Sequence, residues 1–152
     1  MRRPRIIALL AVAVVLFVAI SALLARAFSV DGAERSAITN LIQAQARGDQ
    51  NAMLDQISGC RADPACRARV ADDVAALAHS GAVSIIQIQP SAGFSLGGTM
   101  GTARVAWNAG GSLPIVQCVK VRRAGNVLRG LHVELLEISK RIPSDQACPA
   151  RY

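Results

Sequence analysis

From Ile6 to Ala25 the chain runs through twenty consecutive positions of which only Ser21 is neither aliphatic nor aromatic, and none is charged. At a helical rise of about 1.5 Å per residue the run measures about 30 Å, the thickness of a bilayer's hydrocarbon core, and a helix satisfies every backbone group internally there. Beyond it the apolar positions fall into shorter, amphipathic groups. Ser29 and Asp31 offer helix caps, Glu34 stands at capping-box spacing from Asp31, and Ala33, Ala37, Ile38, Leu41, Ile42 and Gln45 keep helical spacing as far as Arg47. Gly48 supplies the stop. Asp49 caps a second, short helix carrying Met53, Leu54 and Ile57, which Ser58-Gly59 breaks. Asp63-Pro64 starts a third, with Cys66, Val70, Val74, Leu77 and Ala78 on one side and an end near Ser80-Gly81.

After Gly81 the period changes. Val83 to Gln89 is β-branched and nearly continuous, as in a strand covered on both faces. Pro90 to Gly101 reads as a connection. Thr102 to Trp107 alternates, with Ala103, Val105 and Trp107 on one face, and Asn108-Ala109-Gly110-Gly111 forms a turn. Leu113 to Arg123 and Val127 to Ile138 then make a hairpin about Ala124-Gly125-Asn126. The predicted fold is α+β: one N-terminal transmembrane helix, then about three helices packed on a curved antiparallel sheet of about four strands. The divisions are a cytoplasmic N-terminus over 1–5, a transmembrane helix over 6–25, an extracytoplasmic domain over 28–140 and an irregular tail over 141–152.

Charge orients this arrangement. Arg2, Arg3 and Arg5 precede the apolar run, which by the positive-inside rule keeps the N-terminus cytoplasmic and exports the domain. A cleaved signal peptide is the rival reading, because Ala25-Arg26-Ala27 is an A-x-A tripeptide, and it would make the protein secreted. The apolar run is longer than a signal's usual core and has no polar segment before the cleavage point, which favours an anchor. The chain's net charge of +7 owes four arginines to residues 1–27, so residues 28–152 carry only +3. With 52% hydrophobic residues the chain is not a disordered one.

Cys60, Cys66, Cys118 and Cys148 all follow the apolar run, in a compartment that permits disulfides. Of three connectivities, Cys60 to Cys66 with Cys118 to Cys148 is favoured, since the first pair is close in sequence and flanks a turn. There is no C-x-x-C, and His79 and His132 stand in separate elements, so no metal site is expected.

Candidate chemistry is sparse. Asp72 and Asp73 with His132 are the residue types of an acid–base pair, although a solvated helix face accounts for the two aspartates and a polar strand face for His132. His79 suits a helix C-terminus. Gly93 to Thr99 has the glycines of a phosphate loop without its lysine, and a glycine turn explains them better. Lys120, Arg122, Arg123 and Arg129 make the hairpin locally basic, a face for solvent, anionic headgroups or an acidic partner; nucleic acid would call for a stronger patch and more stacking aromatics than Phe28, Phe94, Trp107 and Tyr152, the only ones outside the apolar run. No residue is assigned a catalytic, cofactor-binding or metal-binding role.

Ala46-Arg47-Gly48-Asp49 followed by Ala52-Met53-Leu54 resembles the helix, Gly-Asp turn and second helix of the nuclear transport factor two-like (SnoaL-type) cone fold. With a single span before it and strands after it, the order is similar to that of the extracytoplasmic domains of Mce-associated membrane proteins. That resemblance implies a non-catalytic accessory or binding module beside an envelope transport or assembly system, touching the bilayer through its helix and an envelope protein through its domain. Two other readings stay open: a small isomerase, dehydratase or hydrolase using the cone's pocket, and a carrier of an apolar ligand. In the enzymes of that fold an Asp or His, often with a tyrosine, moves protons in the pocket, and no tyrosine can be assigned that role here, because the only one is Tyr152 in the tail.

Overall fold

The computed structural model describes residues 3–91, 98–126 and 130–149. Three helices precede four strands: α1 (Arg3–Ala46), α2 (Gln50–Gln56), α3 (Pro64–Leu77), β1 (Val83–Gln89), β2 (Thr99–Ala109), β3 (Ile115–Asn126) and β4 (Gly130–Ile138). The strands form one antiparallel sheet in sequence order, β1-β2-β3-β4, and the fold is α+β as expected.

The first departure from the sequence reading is that α1 does not break. Its 44 residues carry the apolar run straight into the domain. Ser29 and Asp31 therefore lie inside a running helix and not at its N-terminus: the preceding turn already supplies carbonyls for the N–H groups that follow, so the cap signal is overridden. The large apolar side chains from Ile6 to Leu24 are 43–71% exposed, so the domain does not cover them. From Val30 onward the helix turns one stripe inward through Glu34, Ile38, Leu41 and Gln45.

The other two helices begin as their caps dictate. Asp49 accepts from Ala52 N at 3.0 Å and Asp63 from Ala65 N at 2.9 Å, each satisfying a donor in the first turn. Gly48, at φ 74°, makes the reversal between α1 and α2. The His79 backbone N–H donates to Ala46 O at 2.9 Å, tying the end of α3 to the end of α1. Helix α3 stops at Leu77, and so His79 is not the helix residue its position suggested.

The core lies between the helices and one face of the sheet. Ile38, Leu41 and Ile42 of α1, Met53 of α2 and Val70 of α3 meet Ala103, Val105 and Trp107 of β2, Ile115, Val119 and Val121 of β3, and Leu135 and Ile138 of β4. β1 is not covered on both faces. It is an edge strand in which only Ile88 is buried, with a bulge between Ile85 and Gln87 and Ile86 left 53% exposed. The expected turn at Ala124-Gly125-Asn126 is instead part of the β3–β4 ladder, where these residues pair with His132, Leu131 and Gly130; residues 127–129 lie outside the described ones. Gly93 to Gly97 of the glycine connection, Arg129 and Tyr152 lie outside them as well.

Both favoured cysteine pairs form, with Cα–Cα separations of 5.2 Å for Cys60–Cys66 and 5.8 Å for Cys118–Cys148. The first closes the corner between α2 and α3. The second holds the tail, which continues past β4 by Ser139 N to Cys118 O and Ile142 N to Val116 O, both at 2.8 Å, and then crosses the outer face of the sheet where Arg104 donates to the Ser144 and Gln146 carbonyls. Because a longer loop is closed, serine at Cys118 and Cys148 together is expected to lower the unfolding free energy by about 3–4 kcal/mol, against about 2–3 kcal/mol for the Cys60/Cys66 pair. Urea unfolding of the detergent-solubilised chain measures both, and equal losses would contradict the loop-closure account.

Candidate functional site

A cluster of charged side chains sits where α1 enters the domain. Glu34 is fully buried, and its carboxylate accepts from the Ser91 backbone N–H at 2.7 Å and the Ser91 hydroxyl at 3.0 Å. Arg123 donates to the same carboxylate through Nε at 2.9 Å and Nη2 at 2.7 Å, and its Nη2 also reaches Asp31 at 2.5 Å. The strand's alternation places Arg123 on the face of Val119 and Val121, toward α1. Ser91 comes close because Gly101 has no side chain: a Cβ there would stand 2.6 Å from that of Ser91. The Glu34 carboxylate thus has four donors and no free face, which suits it to fastening the helix to the sheet rather than to exchanging protons.

A second polar cluster closes the other end of the inward stripe. Gln117 Oε1 accepts from Trp107 Nε1 at 3.0 Å and from Gln45 Nε2 at 3.2 Å, and Gln117 Nε2 donates to Ser139 O at 2.9 Å. All three side chains are fully buried, and the Gln45 Oε1 has no partner among the described residues.

Two open grooves flank this interior. One, of about 420 Å³, lies between α1, the end of α2 and β4, with Asn40, Gln43, Arg47 and Gln56 above Val133 and Leu135. Its donors and amides can hold a polar ligand. The other, of about 490 Å³, lies between α3 and the start of the tail, with Asp72, Asp73, Lys140 and Arg141. Here the structure corrects the solvated-face reading for Asp73, which is 2% exposed with no partner for its Oδ2 among the described residues, whereas Asp72 stays exposed and pairs with Lys140 at 3.3 Å. Burial pushes the Asp73 carboxyl up to about 7 against the pull of Lys140 and Arg69.

The acid–base pair considered from the sequence is not assembled. His132 is exposed and contacts Glu134 at 3.2 Å on β4, with no contact to either aspartate. The Arg122 guanidinium holds the Glu134 carboxyl below its ordinary value, with His132 adding to the effect. The basic hairpin is largely neutralised: Lys120 pairs with Glu137 at 3.7 Å, Arg122 with Glu134 and Arg123 with Asp31 and Glu34. Among the described residues no group of three or more histidine, cysteine or acidic side chains is placed to hold a metal ion. Sequence reasoning missed Glu34 and Gln45 as partners of Arg123 and Gln117. The available signal was their place on the stripe Val30, Glu34, Ile38, Leu41, Gln45, where a polar residue must find a partner inside.

No protein-family model matches the chain, and neither a curated protein nor a solved structure does.

Arg123→Ala strands a buried carboxylate and is expected to cost about 3–5 kcal/mol of stability, whereas Lys140→Ala, at an exposed pair, costs about 1 kcal/mol or less. Equal losses in denaturant unfolding would contradict the clamp. For Asp73 the folded state holds its proton more tightly than the unfolded chain, whose carboxyl titrates at about 4. Stability from this group is therefore complete below about pH 4 and is lost as pH rises toward 7. Asp73→Asn removes that slope and raises the melting temperature at pH 8 more than at pH 4; a uniform shift at both would show that burial does not perturb this carboxyl.

Proposed function

We propose that this protein is a single-pass, membrane-anchored accessory or binding module whose domain lies outside the cytoplasmic membrane, supporting an envelope transport or assembly system. The observation that carries the reading is the unbroken α1: one helix supplies both an exposed apolar length sufficient to cross a bilayer and the buried wall of the domain. A covering for the exposed length has to come from outside the described residues, and lipid has the right chemistry. Two cysteine pairs at bonding distance suit an oxidising compartment. Resemblance to the Mce-associated proteins supports the accessory role, and the amide-lined groove beside Arg47 offers a place for a partner's polar groups.

One observation favours a second reading, a small acid–base enzyme: Asp73 borders a groove and titrates near neutral pH. Against it, neither His132 nor any tyrosine among the described residues stands beside that carboxyl.

The test is protease added outside spheroplasts that carry the full chain with an N-terminal tag. Digestion of the domain with the tag protected is the expected outcome, and a domain digested only after lysis overturns the topology. Intact-mass analysis of the membrane fraction should find the N-terminal residues still attached and two disulfides. A mature chain beginning at Phe28 would instead make the protein secreted, and four free thiols would remove the oxidised compartment.

A further inference from the structure

The outer edge of β4 is only partly used. Ile57 bridges Leu135 in parallel, and the Ser58 backbone N–H donates to the Leu135 carbonyl at 2.7 Å, so Leu135 turns its backbone polar groups away from β3. In an antiparallel strand alternate residues present their N–H and C=O to the same side, and the ladder is regular between the Arg123–Val133 and Val121–Leu135 pairs. Val133 therefore presents its own N–H and C=O to that same edge. No backbone group from another element meets them there among the described residues.

Beside this edge lies the groove of about 420 Å³ between α1, the end of α2 and β4. Val133 and Leu135 share a face with Arg123 and Val121, toward α1, and together with Ala37 they form its apolar floor. The polar groups around that floor are uncommitted. Gln56 Oε1 is buried with no donor among the described residues, and the side chains of Asn40, Gln43 and Arg47 make no hydrogen bond or ion pair to any of them. The lining holds one cation and no acid.

An unpaired strand edge beside an apolar floor suits an extended peptide, whose main chain bonds the strand while alternate side chains enter the groove. The length of such a guest is limited. A strand lying on Val133 and running with β4, as Ile57 does, meets the Ile57–Ser58 segment at the next pairing position, because Leu135 is already taken. A chain that ends there ends in a carboxylate. Arg47, in the turn between α1 and α2, is the cation that lines the groove, and a guanidinium takes a carboxylate through two parallel N–H bonds. With Ile6–Ala25 in the bilayer, Ala37 to Arg47 stand about 18 to 33 Å along the helix from Ala25, clear of the headgroups and open to a partner in water.

We propose that the groove between α1 and β4 binds the C-terminal end of a partner polypeptide, which adds to the β4 edge at Val133 and places its terminal carboxylate on Arg47. This inference rests on the reading of the domain as a binding module and supplies the chemistry of its partner. Gln56 Oε1 then accepts an N–H of the guest, and the β4 edge is paired along its length from Val133 to Leu135.

The test adds short peptides to the full chain in phosphatidylglycerol nanodiscs, with its valine and leucine methyl groups labelled for NMR. The probe is a pool of N-acetylated tetrapeptides of alanine, valine, leucine and serine, prepared with free carboxylates and again as C-terminal amides. The free acids are expected to shift the Val133 and Leu135 signals at about ten-fold lower concentration than the amides. In Arg47→Gln, at an exposed position, the two pools become equivalent. Val133→Pro removes the edge N–H without touching the ladder to β3, and read at Leu135 it weakens both pools. Acids and amides acting alike on the native chain, a preference that survives Arg47→Gln, or no shift with either pool overturns the carboxylate site; undiminished binding in Val133→Pro overturns the edge pairing. Each of these outcomes leaves the anchored topology standing, since the protease experiment decides that separately.

Discussion

Glu34 brings a carboxylate into the wall of a largely apolar core, and the position of α1 depends on how that carboxylate is met. Burying a carboxylate costs several kcal/mol, which the fold offsets only when every acceptor site finds a donor in good geometry. The donors come from two distant segments, Ser91 just past the end of β1 and Arg123 near the end of β3. Each depends on something further. Ser91 needs the empty side of Gly101, and Arg123 needs the β3 register, since a slip by one residue would turn its side chain to the opposite face of the sheet. The helix, both ends of the β1–β2 connection and the strand register are thus coupled through one carboxylate.

The aliphatic contacts between Glu34 and Gln45 are energetically larger in sum but carry no direction, because apolar burial is satisfied by any close packing. A helix held by Ile38, Leu41 and Ile42 alone would be free to slide. The Glu34–Arg123 and Gln45–Gln117 contacts stop it at both ends of the stripe. Gln117 also takes the Trp107 N–H and gives its own to Ser139 O, so the same residue that stops the helix fixes the largest core side chain and the start of the tail. The disulfide at Cys118, the next residue along, then fastens the tail to the other face.

Features governed by neighbours in sequence were legible there. Asp49 and Asp63 cap helices because the N–H groups they satisfy are two or three residues away, and the alternation around Trp107 reports its face directly. Cys60 and Cys66, six residues apart, paired as their spacing suggested. Ser29 and Asp31 misled for the same local reason, since a cap signal has no meaning inside a helix that is already running. Glu34 and Arg123 are 89 residues apart, and nothing near either one shows the other. The edge position of β1 was equally hidden, because a β-branched run looks alike in the middle of a sheet and at its border. Asp73 follows an identical, exposed neighbour, and only the packing of α3 distinguishes the two.

An unbroken α1 also gives the apolar segment and the domain a common angular phase. Each residue of a helix advances the chain by about 1.5 Å and turns it by about 100°. The direction in which Val30, Glu34 and Ile38 face the sheet therefore determines which side of the apolar helix lies beneath the domain and which lies opposite. One residue added or removed between Ala25 and Val30 would leave every contact within the domain intact and swing the whole domain about the helix by more than a quarter turn.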